Sequence, residues 1–284
     1  MSFKNLGLIK PLAKALDALG FEEPTLIQQK TIPVILDKRD CVASAQTGTG
    51  KTAAFALPTL QHLFDGQDAP KRGKKIRALI ISPTRELAVQ INENFKSYAQ
   101  FTNLRSAVIF GGTAIEPQID ILKKGIDILI ATPGRLLDLH KQDFINLDYV
   151  EMFVLDEADI MLDMGFIDDI RKVEQLCPKE KQTLLFSATI PHKVEQLANT
   201  ILKNPVRIDV TPEKSMVKGI SQVVFYVPKR NKIELCLHLL RNTIKGSILI
   251  FRRTKFGVEK LEKALAKNVI CFGWGIYRKC FGTY

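Results

Sequence analysis

Residues 45–52, with the sequence AQTGTGKT, have the types and spacing of a phosphate-binding loop. They lie between a predicted strand and a predicted helix, so backbone N–H groups and the helix N-terminus can surround a phosphate. Lys51 is expected to reach the β- and γ-phosphates of a nucleotide, and Thr52 to bind Mg²⁺. Loops of this kind generally begin with glycine, where this chain has Ala45. An ordinary glycine-rich turn is the alternative.

Residues 152–159, MFVLDEAD, place two adjacent carboxylates at the end of an apolar strand. Asp156 is expected to hold the metal through its water shell, and Glu157 to accept the proton of an attacking water. A charged turn after a strand is the alternative for this pair alone. Together with the glycine loop, the pair predicts nucleotide hydrolysis with Lys51, Asp156 and Glu157 as catalytic residues.

A doubly wound α/β domain with a parallel sheet would position both sites at the carboxyl ends of its strands. Apolar runs that alternate with helix-period stretches predict such a sheet, with both of its faces covered. The strands are predicted at 41–45, 77–81, 106–110, 127–131, 152–155 and 183–186. The helices are predicted at 52–63, 86–98, 115–124, 134–140 and 193–202, after two N-terminal helices at 6–19 and 25–36.

The composition fits one or two packed domains, since the 284 residues are 46% hydrophobic and 25% charged. No apolar run approaches the ~20 residues that cross a bilayer, and the five cysteines form no CxxC pair. We therefore expect a cytoplasmic protein with free thiols and no membrane partner. The net charge of +11 lies in residues 211–284, which hold 15 basic and 4 acidic residues. This excess suggests polyanion binding, with a solvated helix face as the alternative.

Six short strings, in a fixed order, make the chain resemble the DEAD-box family of ATP-dependent RNA helicases. They are AQTGTGKT at 45–52, PTRELA at 83–88, GG at 111–112, TPGR at 132–135, DEAD at 156–159 and SAT at 187–189. Alanine is usual in this family at the first position of the glycine loop. The context VLDEADIMLDMGF at 154–166 most resembles the bacterial RhlE-type members. The resemblance implies a RecA-like domain that binds ATP and Mg²⁺ and couples ATP hydrolysis to local unwinding of RNA duplexes.

The resemblance also extends the ATP site to the N-terminal helices, because residues 20–28 are similar to the Q motif of the family. The Gln28 amide would pair with N6 and N7 of adenine and so select ATP over GTP. Phe21 would stack on the base, or alternatively seal the helix junction as a core aromatic residue, the role expected of Phe3. The implied ATP-binding residues are Phe21, Gln28, Ala45, Gln46, Thr47, Gly48, Thr49, Gly50, Lys51 and Thr52, with the metal at Thr52 and Asp156.

Loops after three further strands are implied to bind RNA. Small residues, helix N-termini and two arginines suit a sugar-phosphate backbone and read no bases, so binding should be independent of sequence. Each arginine alone could instead form a surface ion pair, Arg85 with Glu86 or Arg135 with Asp138. The implied RNA-binding residues are Pro83, Thr84, Arg85, Gly111, Gly112, Thr132 and Arg135.

The SAT string is implied to couple the nucleotide site to strand separation. Ser187 and Thr189 would act through hydrogen bonds to the DEAD segment, where Asp159 is the expected partner. Without the family context, the same string would be an ordinary helix N-cap.

Three segments are expected along the chain: an N-terminal RecA-like domain at 1–210, a linker at 211–219, and a partial second RecA-like domain at 220–284. The second domain should contain strands at 222–227 and 247–251 and helices at 232–240 and 254–267. The string SILIFRRTK at 247–255 resembles the first RNA-contacting motif of that domain. Its candidate phosphate contacts are Arg252, Arg253 and Thr254.

The end of the chain departs from the family pattern. The later motifs, including the one that supplies arginine fingers to ATP, are absent from the sequence given. Residues 269–284 are expected to be an aberrant tail, from a shifted frame or an interrupted gene, or else a divergent C-terminus. Two other functions therefore stay open at this point: a truncated ATP- and RNA-binding remnant without turnover, and a P-loop ATPase that acts on DNA.

Overall fold

The structure, a computed structural model, describes residues 3–64, 75–210, 221, 223–243 and 246–267. Its contacts divide the chain into two compact units, Met1–Ser215 and Met216–Tyr284. The polar, Gly- and Pro-containing segment 65–75 predicts a surface loop, and it lies outside the described residues except for Lys75. The predicted linker at 211–219 and the tail at 269–284 also lie outside them.

Seven parallel strands form the sheet of the first unit, in the order β3-β4-β2-β5-β6-β1-β7. Strands β1, β2, β4 and β5 are buried along their whole length, which explains why they are apolar throughout. This order confirms the predicted doubly wound α/β fold. The strands are β1 Cys41–Ser44, β2 Ala78–Ile81, β3 Ser106–Ile109, β4 Ile128–Ala131, β5 Met152–Leu155, β6 Gln182–Ser187 and β7 Val206–Asp209.

Helices cover both faces of this sheet. On one face, Phe186 packs with Phe55 and Phe95 of the helices that precede β3. On the other face, Phe153 belongs to a cluster with side chains of the helices that follow β3. The first set is α1 Lys10–Ala18, α2 Leu26–Leu36, α3 Lys51–Phe64 and α4 Arg85–Tyr98. The second set is α5 Glu116–Lys123, α6 Pro133–Lys141, α7 Ala158–Asp163, α8 Ile167–Leu176 and α9 His192–Ile201.

Most predicted elements of the first unit are present with small shifts of their ends. The helix predicted at 6–19 begins only at Lys10, because Gly7 has a φ of +73° and a 3-10 turn, Phe3–Leu6, comes before it. Three elements were not predicted: α7, α8 and β7. α7 is too short to show a helical period, α8 buries only Ile170 and Val173, and β7 is an edge strand with one buried residue.

The second unit contains the two predicted helices, α10 Lys232–Asn242 and α11 Lys255–Lys267, with a 3-10 turn before α10. The prediction of strands at 222–227 and 247–251 was wrong, because within the described residues of this unit neither segment pairs with a strand. A strand needs a neighbour to bond its N–H and C=O groups. Apolar side chains in both segments are exposed, Tyr226 by 98% and Phe251 by 66%. A RecA-like fold for this unit stays a prediction.

Three of the five cysteines lie in the described part of the chain, and all three, Cys41, Cys177 and Cys236, have free thiols. Burial raises the pKa of the Cys41 and Cys177 thiols to about 12, so both are neutral at physiological pH. In the ranges that the structure describes, no helix is long and apolar enough to cross a membrane.

Candidate functional site

The glycine loop joins β1 to α3 at the carboxyl edge of the sheet. β1 is buried between β6 and β7, and Ala45 extends it, with its N–H donating to Ser187 O at 3.1 Å. Gly48 and Gly50 have φ values of +85° and +91°, a left-handed conformation that glycine adopts without steric cost. The loop enters α3 at Lys51, so the N-terminal N–H groups of a 14-residue helix are available to a phosphate.

Lys51 and Glu157 form a buried ion pair beside this loop. Lys51 Nζ lies 2.9 Å from Glu157 Oε1, with side-chain exposures of 5% and 6%, in a geometry that is not a hydrogen bond. The Thr47 hydroxyl donates to the same oxygen at 3.5 Å. Glu157 has φ 54° and ψ 54°, a left-handed conformation that is uncommon outside glycine and is concentrated at functional sites. The positive charge of Lys51 and the negative charge of Glu157, both buried, compensate each other.

Asp156 continues β5 by one residue, since its N–H donates to Ile81 O at 3.0 Å. Its Oδ1 and the Oε2 of Glu157 are buried without a hydrogen-bond partner among the described residues. Burial raises the pKa of Asp156 to about 7; the Glu157 carboxylate adds to the rise and Lys51 opposes it. Buried carboxylate oxygens without partners are costly, and they are the ligands that Mg²⁺ prefers.

The carboxylates of this site fit a metal ion that a nucleotide brings with it. Within the described ranges, no group of three or more His, Cys, Asp or Glu side chains could hold a metal ion on its own. Mg²⁺ commonly uses one or two carboxylates and completes six-fold coordination with phosphate and water oxygens. Asp156 and the Thr52 hydroxyl in the first turn of α3 therefore suit Mg²⁺ bound together with a nucleoside triphosphate.

Gln28 reaches the glycine loop from α2. Its Oε1 accepts from the Thr25 N–H at 2.9 Å and closes a capping box at the start of the helix. Its Nε2 donates to Gly50 O at 3.2 Å, and the residue is only 2% exposed. Both atoms that would meet adenine are therefore bonded within the chain, and these bonds must be exchanged if the amide pairs with the base. Selection of ATP by Gln28 stays a prediction.

Phe21 packs edge-to-face against two other aromatic rings. The ring centroids lie 6.2 Å from Phe3 and 6.0 Å from Tyr98. These contacts favour the alternative in which Phe21 seals the helix junction. Phe3 itself is buried, as expected of a core residue. Stacking of Phe21 on a base stays a prediction.

The structure brings the SAT string and the DEAD string together. The Asp159 N–H donates to Ser187 Oγ at 3.1 Å, and the N–H and hydroxyl of Thr189 donate to Asp159 Oδ2 at 2.9 and 2.8 Å. Burial alone would raise the pKa of Asp159, but hydrogen bonds from Thr189, Ser187 and the Ile160 N–H hold it below its usual value. The helix N-cap alternative was wrong, since α9 starts after Pro191 and has no side-chain cap. A coupling role for these residues stays a prediction.

The loops that follow β2, β3 and β4 lie in the half of the sheet away from the glycine loop. In the strand order, β5 and β6 separate these three strands from β1. The three loops form a cleft of about 460 Å³. Its lining residues are Pro83, Arg85, Phe110, Gly111, Thr132, Gly134, Arg135, Asp138 and Phe166. Five of the seven predicted RNA-binding residues line this cleft, and Thr84 and Gly112 do not. Thr84 instead caps α4, where its hydroxyl accepts from the Leu87 N–H at 3.3 Å.

The two arginines of the cleft are held by different contacts. The Arg85 guanidinium lies 4.8 Å from the centroid of the Phe110 ring, and no salt bridge joins it to Glu86 in the described part of the chain. Arg135 donates from Nη2 to Thr113 O at 3.0 Å, and its Nε lies 3.8 Å from Asp138 Oδ2. The alternative ion pair is thus present for Arg135 only. Phe110 was not predicted, and its only signal in the sequence is an aromatic residue directly before the GG string.

The RRT string of the second unit lies at the start of α11. Thr254 Oγ1 accepts from the Gly257 N–H at 3.1 Å, so this hydroxyl caps the first turn of the helix. The neighbouring Arg253 is exposed. Phosphate contacts by Arg252, Arg253 and Thr254 stay predictions.

A doubly wound sheet whose glycine loop leads from a buried strand into a helix defines the P-loop class of proteins. A family model described as DEAD/DEAH box helicase matches residues 25–197, and the chain belongs to this family. A solved structure of a DEAD box protein from the hyperthermophile Methanococcus jannaschii is 38% identical, with a TM-score of 0.68. That match covers 95% of this chain and 71% of the other.

Two curated relatives have similar levels of identity. The DEAD-box ATP-dependent RNA helicase RhpA of Helicobacter pylori is 40% identical over 267 residues, which cover 94% of this chain and 53% of RhpA. The ATP-dependent RNA helicase RhlB of Idiomarina loihiensis is 40% identical over 268 residues, covering 94% of this chain and 63% of RhlB. The chain thus spans between half and two thirds of the length of these relatives. The predicted likeness to RhlE-type members stays a prediction.

Proposed function

We propose that this protein binds ATP with Mg²⁺ and the RNA backbone, and that it couples ATP hydrolysis to local opening of RNA duplexes in the cytoplasm. The observation that carries the proposal is the buried Lys51–Glu157 pair beside the glycine loop, next to carboxylate oxygens without partners. The relatives RhpA and RhlB are named ATP-dependent RNA helicases, which supports ATP and RNA as the ligands.

ATP hydrolysis at this site would begin with an exchange of the partner of Lys51. The ammonium group would leave Glu157 for the β- and γ-phosphates, and the carboxylate would become free to accept the proton of the attacking water. Asp156 and Thr52 would hold Mg²⁺, which when bound neutralises charge on the phosphates. Since phosphoryl transfer depends mainly on positioning and charge stabilisation, the placement of Lys51 and Glu157 beside the glycine loop would be the main contribution of the chain.

Communication with RNA would run through the bonds between the DEAD and SAT strings. Asp159 lies in the first turn of α7, three residues after the metal-site carboxylate, and Thr189 lies in the loop that leaves β6. A change in the DEAD segment on hydrolysis would therefore act directly on this loop. The cleft beyond β2 would hold the RNA backbone through Arg85 and Arg135, without reading its bases.

RNA-stimulated ATP hydrolysis by the full chain, with binding measured by calorimetry, tests the proposal. Glu157→Gln should retain ATP binding and lose turnover by ~10²-fold or more, the scale of a general base. Lys51→Ala should lose ATP binding because the phosphates lose their cation. Glu180→Gln, a change at a glutamate whose side chain is 92% exposed, is the matched control and should change neither quantity.

Each contrary outcome points to one part of the proposal. Near-normal turnover of Glu157→Gln would move the general base elsewhere, and equal affinity for ATP and GTP would remove the role of Gln28. Binding of ATP and RNA without hydrolysis would indicate a remnant without turnover. Equal stimulation by DNA and RNA would indicate a P-loop ATPase that does not distinguish them.

A further inference from the structure

Gln118 has a buried amide on α5, outside every motif described above, and is only 7% exposed. Its Oε1 accepts from the Phe110 N–H at 3.0 Å. Its Nε2 lies within donating distance of Phe110 O at 3.2 Å, Ala114 O at 3.1 Å and Thr113 Oγ1 at 3.2 Å. All four contacts go to the loop at 110–114, which contains both glycines of the GG string.

This amide takes the place of a neighbouring strand. β3 is the last strand in the sheet order of the described residues, so the chain that leaves β3 has a strand on one side only. A side-chain amide offers the same C=O acceptor and N–H donors as a peptide group. It bonds both the N–H and the C=O of Phe110, and it thereby fixes a loop that the sheet leaves free on that side.

The fixed loop in turn holds both arginines of the cleft. The Phe110 ring lies under the Arg85 guanidinium, and Thr113 O accepts from Arg135 Nη2. The Arg135 side chain is 10% exposed, and its Nη1 is buried without a hydrogen-bond partner in the part of the chain that the structure describes. A buried unpaired donor with a positive charge gains most from an anionic oxygen, such as that of a phosphate group.

We propose that Gln118 is a positioning residue for RNA binding. By fixing the loop at 110–114, it makes the Phe110 ring and the Thr113 carbonyl orient Arg85 and Arg135 towards the RNA backbone before RNA arrives. Such preorganisation raises affinity because the cost of ordering the arginines is not incurred on binding. The inference rests on the proposed function, since it takes the cleft as the place where RNA binds.

The test is the affinity of the full chain for a fluorescein-labelled oligo(U) RNA, measured by anisotropy with Mg²⁺ and a non-hydrolysable ATP analogue. Gln118→Leu removes the amide and should weaken RNA binding about tenfold, the effect of one or two lost hydrogen bonds. ATP affinity should stay unchanged, because the glycine loop follows β1, far from β3 in the strand order. Gln100→Leu, which removes an exposed amide that donates to Ser97 O at 3.0 Å, close by in the chain, is the matched control.

A double-mutant cycle separates positioning from a merely structural role. In a chain that carries Arg85→Ala and Arg135→Ala, adding Gln118→Leu should weaken RNA binding by less than about twofold, since residues that act through one another are not additive. The full tenfold loss in that background would overturn the proposal. So would wild-type affinity of the single variant Gln118→Leu.

If Gln118→Leu shows no cooperative unfolding, the variant is not folded, and variants of Phe110 test the proposal instead. Phe110→Leu keeps the backbone groups that Gln118 binds and removes the ring under Arg85, so RNA affinity should fall about two- to fivefold, the scale of an exposed cation–π contact. Phe110→Tyr should restore it, and equal affinity of Phe110→Leu and wild type would overturn the proposal. A wild-type chain that binds no RNA would overturn the proposed function as well, whereas RNA binding insensitive to these changes overturns this inference alone.

Discussion

Gln28 shows how much of a site can depend on one side chain outside its main motif. The same amide closes the capping box of α2 and bonds the carbonyl of Gly50 in the glycine loop. Gly50 has a left-handed backbone, and a Cβ at this position would clash with Gln28 Nε2 and lie 3.2 Å from Thr25 Oγ1. Gly50 is therefore required both by its φ and by the close approach of Gln28.

Gly50→Ala and Gly48→Ala separate these two requirements. Both glycines have a positive φ, so each substitution should cost about 1 kcal/mol of unfolding free energy from the left-handed backbone. A Cβ at Gly48 meets nothing within 4 Å, whereas one at Gly50 must displace the end of Gln28. Gly50→Ala should therefore cost about 1 kcal/mol more, because the bond to Gly50 O breaks.

Urea unfolding of both variants measures the difference between them. In a Gln28→Ala background the extra cost of Gly50→Ala should disappear, because the displaced group is gone. An equal cost for the two glycine variants with Gln28 present would contradict the importance of this contact.

Residue types and their order predict which single side chains form the candidate site. Lys51, Glu157 and Asp156 could be predicted because phosphate and metal chemistry restricts which side chains can serve. The ion pair between Lys51 and Glu157 and the bonds of Gln118 could not be predicted, since they depend on which loops the sheet order makes neighbours. The exposure of a side chain to water follows from the same tertiary contacts, and so does the bond from Gln28 to the glycine loop, whereas its capping-box bond is local.

The proposed coupling depends on one contact between elements, the hydrogen bonds that join Asp159 of α7 to Thr189 in the loop after β6. The Asp159 carboxylate has a pKa below its usual value, so its hydrogen bonds stabilise the fold fully above the unfolded pKa of about 3.9. That contribution is lost as the pH falls through the lower pKa of the folded state. Thr189→Val removes the hydroxyl bond to this carboxylate.

The loss of stability in Thr189→Val should therefore depend on pH. The difference in unfolding free energy from wild type should be constant between pH 7 and 5, and it should shrink as the pH falls below about 3.9 and through the lower pKa of Asp159 in the folded state. Thr189→Ser should keep most of the stability. Thr200→Val, which removes a hydroxyl bonded to Gln196 O on α9, is the control without a carboxylate. A difference that stays the same at all pH values would contradict the role of this carboxylate.

Strands buried on both faces are among the elements that the sequence predicts best. Strands such as β2 and β5 are apolar throughout because the parallel sheet covers them, and this pattern is visible without any partner. The segments at 222–227 and 247–251 have the same apolar composition, yet their described residues, 223–227 and 247–251, form no strand. Strand formation also needs a neighbour to bond, and the composition of one segment does not contain that information.

Across the whole first unit, the strand order separates two sets of loops. The loops after β1 and β5 carry candidate nucleotide residues, the loop after β6 carries the candidate coupling residue Thr189, and the loops after β2, β3 and β4 carry the candidate RNA residues. The half of the sheet that carries the nucleotide loops and the half that carries the RNA loops meet where β5 pairs with β2. The net charge of +11 lies outside residues 1–210, so in this unit RNA binding would depend on local arginines such as Arg85 and Arg135.

Residues 1–210 contain all seven strands of the sheet and both of its core clusters. Because each helix of the two sets that cover the sheet is also present, we expect this segment to fold alone in one cooperative transition, and its affinity for ADP and ATP with Mg²⁺ should equal that of the full chain. Urea unfolding and calorimetry on residues 1–210 and on residues 1–284 check this. Lys51→Ala in both lengths is the control: it should abolish nucleotide binding, and it should lower the transition midpoint equally in both lengths because Glu157 loses its buried partner. A midpoint clearly lower than that of the full chain would show that residues 211–284 contribute to the stability of the sheet.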